Sequence, residues 1–216
     1  ITSMAQPLGT HIGNALEVKD AIDVLAGRTQ GDLLEISLLL GSHMLVLAEK
    51  AKTLPEARTM LENALSSGAG LRKLAEMIAA QGGDPRVVED LSLLPQAAVK
   101  RVMRAETAGY LSAMDTTALG MAAQRMGAGR AKKSDMLDYS VGYVLHVRLG
   151  DEVTEDTPLA TLYARNEAEA EEAEKAIRKA LTIAKEKPQT PKLWDAVVTA
   201  EGIISVSYTH LTLPTT

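Results

Sequence analysis

The 216-residue sequence has no cysteine, no phenylalanine and a single tryptophan. Without cysteine there is no disulfide framework and no thiolate chemistry, a composition that fits the reducing cytoplasm. Aromatic residues make up 3% of the chain, so the core has to be built from Leu, Val, Ile, Met and Ala. Positive charge is not in excess. The 23 Lys and Arg stand against 28 Asp and Glu, and a formal net charge of −5 offers no basic field to a nucleic acid. No apolar run reaches the roughly 18 residues of a membrane span. The most apolar stretch, Leu33 to Ala48, is broken by Glu35, Gly41 and His43. Nucleic acid and membrane are therefore not expected as partners. What is present, 46% hydrophobic residues, is the composition of a globular protein with one large or two small domains.

The first ninety residues read as helices. Asn14 to Leu25 places Ala15, Val18, Ile22 and Leu25 on one face, with Gly13 and Asn14 at its start and Gly27 at its stop. By spacing alone, Asp20 is a solvated carboxylate on that helix. Asp32 is placed to cap a second helix, Leu33 to Lys50, whose apolar character all round predicts burial on several sides. Thr53 and Glu56 form a capping box ahead of a third helix, and a fourth spans Leu71 to Gln81 before Gly82 and Gly83.

Near Pro95 the period changes. Val99, Arg101 and Met103 alternate with Lys100, Val102 and Arg104, and Gly109 to Met114 is a second strand candidate. A short helix, Thr116 to Met126, follows. Tyr143, Leu145, Val147 and Leu149 then alternate with Val144, His146 and Arg148, ahead of a Gly150-Asp151 turn. Pro158 to Ala164 is a further strand, and Asn166 to Lys187 a closing helix with Glu early and Lys and Arg late. The chain opens on Ile1 with no initiator Met, which points to truncation. Val206 to Thr216, VSYTHLTLPTT, shifts abruptly to a Thr-rich composition and reads as a non-native, adapter-derived tail.

Met4 to Leu25 reads MAQPLGTHIGNALEVKDAIDVL. It resembles a block of the thymidine phosphorylase and pyrimidine-nucleoside phosphorylase family, D-M-x-Q-P-L-G…G-N-A-L-E-V-K-E-A, with Ser3 where that family usually has Asp. LLPQAA, GAGRAKKSDMLDYSVG and GDEVTEDTPLATLYA carry the resemblance to about Ala184. It implies a fold in two parts. Residues 1–90 would be the helical remnant of an α/β phosphorylase domain of the nucleoside phosphorylase/phosphoribosyltransferase kind, truncated at its N-terminus. Residues 96–187 would be the family's C-terminal, α+β, α/β-hammerhead-like domain.

The resemblance also implies an activity: phosphorolysis of thymidine or deoxyuridine, with uridine as a further candidate, to free base and (deoxy)ribose 1-phosphate in pyrimidine salvage. The partners would be a pyrimidine nucleoside and inorganic phosphate, and the full-length enzyme would be a cytoplasmic homodimer. No catalytic residue is assigned in this chain. The family's K-x-S-x-x-G-G-x-G-D phosphate loop and its base-holding Arg, Ser and Lys are expected upstream of Ile1, so the fragment itself is expected to be inactive. No organic cofactor is implied, but a monovalent cation, usually potassium, is. Matched residue by residue, Leu8 and His11 would offer carbonyl oxygens and Asp20 a carboxylate where the family commonly has Glu. Oxygen ligands of this kind suit a hard cation.

Other candidates weigh less. His43 within an apolar helix reads as a packed residue donating one hydrogen bond, and His146 as exposed. Gly127-Ala128-Gly129-Arg130, with Lys132 and Lys133, is a candidate active-site lid. GDEVTEDTPLATLYA also resembles the hairpin of lipoyl and biotinyl carrier domains, but no Lys sits on the turn that follows, and the next is Lys175. A carrier or regulatory module is one rival reading, and an anthranilate phosphoribosyltransferase-like enzyme is another.

Overall fold

The computed structural model describes residues 1–205. The Thr-rich segment 206–216, and with it the expectation of a non-native tail, lies outside the described residues.

Strand β1 (His11–Ile12) leads through Gly13 into helix α1 (Asn14–Leu25). Helices α2 (Asp32–Leu47), α3 (Leu54–Ser66) and α4 (Ala69–Ala80) follow, then two short 3-10 turns at Pro85–Val88 and Leu91–Leu93. The capping chemistry is local. Thr53 Oγ1 accepts from the Glu56 amide, and Asp84 accepts from the Arg86 amide. The expected cap at Asp32 is not made: Asp32 is the first residue of α2, Gly31 takes the cap position, and the carboxylate is used elsewhere. Helix α2 also stops before Lys50. Glu49 adopts a left-handed φ of 55°, and the Lys50 amide returns to the Leu45 carbonyl at 2.9 Å, closing the helix end.

Two small clusters hold the helices together. Ile22 packs with Val87 and Val88, and Val24 with Leu34 and Leu38. The expectation that α2 is buried on several sides is not met. Leu40, Met44 and Leu47, spaced along one face, are 53%, 68% and 83% exposed. Val18 likewise faces out, while Leu16 and Val24 are buried instead, so the buried face of α1 is rotated from the expected one.

The second half is built on antiparallel sheets. Strands β2 (Val99–Arg104) and β3 (Gly109–Met114) precede helix α5 (Thr116–Ala123), which runs into a wide π-type turn at Gln124–Ala128. Then come β4 (Gly142–Leu145), β5 (Glu152–Val153), β6 (Pro158–Ala164), α6 (Glu167–Ala180) and β7 (Leu181–Ala184), with a β8 (Ala196–Thr199)–β9 (Gly202–Ser205) hairpin at the end. One sheet has the order β1-β4-β6-β2 and another β5-β3-β7. Between them lies the main core, which includes Met103, Leu111, Tyr143, Leu145, Leu162 and Ile177. The Tyr143 hydroxyl donates to the Leu119 carbonyl at 2.8 Å, and burial pushes its pKa well above the ordinary value.

Two sequence expectations fail here for tertiary reasons. The closing helix ends at Ala180, not near Lys187, because Leu181–Ala184 pairs with β3 and satisfies its backbone there. The strand expected through Leu149 ends at Leu145. Its alternation nevertheless continues: Val147 and Leu149 are buried while His146 faces out. The whole is thus a mixed arrangement of helices and small antiparallel sheets. No helix among the described residues is long and apolar enough to cross a membrane.

The large core predicts how substitutions divide. Leu162→Ala, at a fully buried position, should lower unfolding free energy by about 2–5 kcal/mol. Val102→Ala on the outer face of β2, 43% exposed, should stay within about 0.5 kcal/mol. Urea unfolding followed by far-UV circular dichroism measures both, and equal losses would show that the core is misplaced.

Candidate functional site

The loop Gln6–Gly13 reaches the sheet through β1. His11 stands opposite Val144 and Ile12 opposite Tyr143. The Leu145 amide donates to the Thr10 carbonyl at 2.8 Å, which makes His11–Val144 a non-hydrogen-bonded pair. The His11 carbonyl is therefore turned away from β4, on the free edge of the sheet.

Helix α1 folds back over this loop and carries Asp20 into it. Contrary to the expectation from spacing, Asp20 is only 4% exposed. A buried carboxylate is costly unless something compensates it. His11 Nδ1 lies 3.4 Å from Asp20 Oδ1 and 3.0 Å from Thr10 Oγ1. The loop backbone closes on the other carboxylate oxygen so tightly that a Cβ on Gly9 would stand 2.5 Å from Asp20 Oδ2. Burial is the main cause of a lowered His11 pKa, and Lys19 adds to it. Asp20 and Asp23 pull the other way without overcoming burial.

Arg148, in the segment that follows β4, clamps the same loop. Its Nη1 donates to the Pro7 carbonyl at 2.6 Å, and its Nη2 lies 3.4 Å from the Leu8 carbonyl. Nη2 also pairs with Asp32, whose carboxylate accepts from Gln6 Nε2 at 3.2 Å. Gln6 Oε1 in turn accepts from the Leu149 amide at 2.9 Å. This explains why Asp32 does not cap α2. Nothing in the sequence signals the role of Arg148, because its partners are more than a hundred residues away.

The structure therefore brings Leu8, His11 and Asp20 into one short loop-and-helix unit. A buried carboxylate beside a loop whose His11 carbonyl is turned away from β4 offers oxygen donors of the type a hard cation takes, so the residues present fit the group implied by the resemblance. His11 Nδ1 and Arg148 Nη2 already lean on two of those oxygens.

The remaining candidates separate from this unit. At the Gly127–Arg130 turn the Gly127 carbonyl accepts from the Asp138 amide at 3.0 Å, and the Ala128 carbonyl accepts from Asn14 Nδ2 at 2.8 Å. The turn thus uses carbonyls to join α5 to the start of α1. His43 is half-buried on α2, and among the described residues it makes no hydrogen bond, so it packs without the donation expected of it. His146 is exposed as expected, yet its Nε2 lies 2.7 Å from Thr161 Oγ1. In the GDEVTEDTPLATLYA segment, β5 and β6 lie in different sheets, and Lys175 sits within α6. Residues that sequence reasoning passed over are Lys19, Lys100 and Tyr163, which line a groove of about 360 Å³ beside α1.

Comparison with known proteins is consistent with this arrangement. Residues 110–184 match the family described as the pyrimidine nucleoside phosphorylase C-terminal domain. Over 167 residues, 77% of this chain, the sequence is 49% identical to the pyrimidine-nucleoside phosphorylase of Bacillus subtilis (strain 168), and it covers 39% of that protein. The same figures hold for the pyrimidine-nucleoside phosphorylase of Geobacillus stearothermophilus. The counterpart in Staphylococcus aureus (strain N315) is 43% identical over 184 residues, 85% of this chain and 42% of the relative. The chain spans about two fifths of the length of the curated relatives it matches.

The two shifted histidines give a pH prediction. His11 and His146 are both lowered from 6.5, in each case chiefly by burial, with Lys100 adding to the shift at His146. A histidine whose folded pKa lies below its unfolded value stabilises the fold above the unfolded pKa and loses that contribution as pH falls through the folded one. Stability should therefore decline as pH drops below 6.5. Proton NMR should give both imidazoles midpoints under 6.5, and midpoints at or above it would contradict this reading of the two environments.

Proposed function

We propose that this chain, which belongs to the pyrimidine-nucleoside phosphorylase family, serves an enzyme that cleaves pyrimidine nucleosides with inorganic phosphate. The observation that carries the reading is the 43–49% identity to proteins of that name over most of the chain. Thymidine and deoxyuridine are the proposed substrates, and uridine is a third. A phosphate oxygen bonds to C1′ of the sugar while the C1′–N bond breaks. The electron pair and a proton go to the departing base, leaving (deoxy)ribose 1-phosphate. Catalysis of this kind rests on holding two anions on either side of a cationic sugar.

None of the described side chains is assigned to that step. The helices would be the remnant of the phosphorylase α/β domain, and the sheets from β2 onward its hammerhead-like C-terminal domain. The protein would work as a cytoplasmic homodimer. The contribution of these residues is positional. Leu8 and His11, through their carbonyls, and Asp20, through its carboxylate, would hold a potassium ion. The ion would supply charge to balance a buried carboxylate and would fix the loop against α1. Within the chain, Arg148 orients the Leu8 carbonyl, and Gly9 leaves room for the carboxylate.

A chimera tests this. Residues 1–205 are placed in the Bacillus subtilis enzyme in place of the matching segment, and thymine release from thymidine and phosphate is followed by absorbance. The chimera should turn over, and the 216-residue chain alone should not. A folded chimera with no phosphorolysis would overturn the proposed function. In the active chimera, Asp20→Ala should abolish the rise in melting temperature produced by potassium. Asp23→Ala removes the pair with the half-exposed Arg28 and a minor charge effect on His11, and should leave that rise intact. Equal potassium responses in both variants would remove Asp20 from the cation site.

A further inference from the structure

We propose that the groove between α1, the linker 91–97 and the outer face of the sheet binds a phosphate monoester, with Lys19 and Lys100 holding its charge. This goes beyond the phosphorolysis reading, because the groove shares neither the His11–Asp20 pair nor the Arg148 clamp.

The groove has cations without anions. Its wall is α1, presenting Ala15, Leu16 and Lys19, and its floor is Lys100 on β2 and Tyr163 on β6. Lys100 and Tyr163 are cross-strand partners, and the ammonium sits 5.6 Å from the ring centroid. Among the described residues neither lysine forms an ion pair. The carboxylates that adjoin the lining in sequence are already engaged: Glu17 accepts from the Gly13 amide, and Asp20 lies against His11. Asp90 accepts from Ser92, and Asp138 accepts from Ser140. The charge of Lys100 is felt beyond the groove, where it helps to lower the pKa of His146. In a chain of net charge −5, this is a local reversal of sign.

Charge and size together define the ligand. Two ammonium groups match a phosphate monoester, which carries about −1.5 to −2 at neutral pH, better than they match a carboxylate. A volume of about 360 Å³ far exceeds free phosphate and lies within the range of small-molecule sites. The Leu16, Leu94 and Pro95 side chains and the Tyr163 ring add an apolar wall for the organic part.

The test is isothermal titration of the 216-residue chain with ribose 5-phosphate, uridine 5′-monophosphate, ribose and inorganic phosphate. At least one ester should bind saturably, and more tightly than ribose or inorganic phosphate. Binding should weaken as salt rises from about 50 to 200 mM. Lys19→Ala combined with Lys100→Ala should weaken it about tenfold or more, as loss of charged hydrogen bonds predicts. Lys185→Ala, exposed and remote in sequence, should not. Should the double variant unfold, the His146 imidazole resonance of the unaltered chain is the second readout, and the bound ester should raise its titration midpoint. No ester binding, equal binding of inorganic phosphate, full binding by a folded double variant, or an unmoved His146 midpoint would each overturn the proposal. Equilibrium binding needs no turnover, so its failure and a failure of phosphorolysis are separate results.

Discussion

Everything at the candidate site depends on two backbones meeting at van der Waals distance. Gly13 and Gly142 face each other where the first loop joins β4. A Cβ on Gly13 would lie 2.4 Å from the Val141 carbonyl oxygen, and one on Gly142 would lie 2.1 Å from that of Ile12. Their φ angles of 138° and 146° are also ones that side-chain-bearing residues rarely adopt. Only glycine at both positions lets β1 enter the sheet. Once it has entered, the rest follows geometrically. His11 is fixed in register opposite Val144, α1 starts immediately and turns back, and Asp20 arrives over the loop. The ends of the chain segments are then tied by Arg148, which bonds the loop from the far side.

The elements legible in the sequence are those whose signals are local. Helix α1 and strands β3 and β6 have the limits their caps, glycines and alternation imply. The Thr53 cap is a contact over three residues and is also where composition places it. What could not be read is what distant chain decides. Leu181–Ala184 has the makings of a helix end, but an open edge of β3 supplies hydrogen bonds that a fraying last turn would leave to water. Asp20 has the spacing of a solvated residue, yet its neighbours Leu16 and Val24 are the buried ones, and α1 is rotated accordingly. Of the three ligands implied by the resemblance, only Asp20 has a side chain whose burial bears on the question. Carbonyl ligands leave no mark on residue type, so periodicity could not have found Leu8 or His11.

The two halves of the chain differ in how much they bury. The sheets enclose a single core of more than twenty buried residues, which decides that substitutions there are felt strongly. The helices make two clusters of three buried residues each, and leave an apolar row of Leu40, Met44 and Leu47 in water. An all-round apolar sequence such as α2 reads as a fully packed helix. The physical difference is that α3 covers one side of it and nothing among the described residues covers the opposite one. The helical half accordingly owes much of its order to the sheet half, through the loop bonds of Gln6, Arg148 and Asn14.

Charge is distributed so as to reinforce that dependence. Asp20 and Asp32, two of the carboxylates against the first loop, are each matched by a cationic or potentially cationic group, His11 and Arg148. Arg148 sits in the sheet half and Asp32 in the helical half, so their pairing also spans the two. Lys19 and Lys100 are placed the same way, one in each half, but face a groove and form no ion pair among the described residues. Opposite charges across a junction hold it closed, whereas like charges across it are relieved by opening or by an anion between them. The junction is therefore held on the Arg148 side, while on the other side the two lysines face the groove. An anion that neutralised the second pair would act in the same direction as the first, drawing the helices onto the sheet.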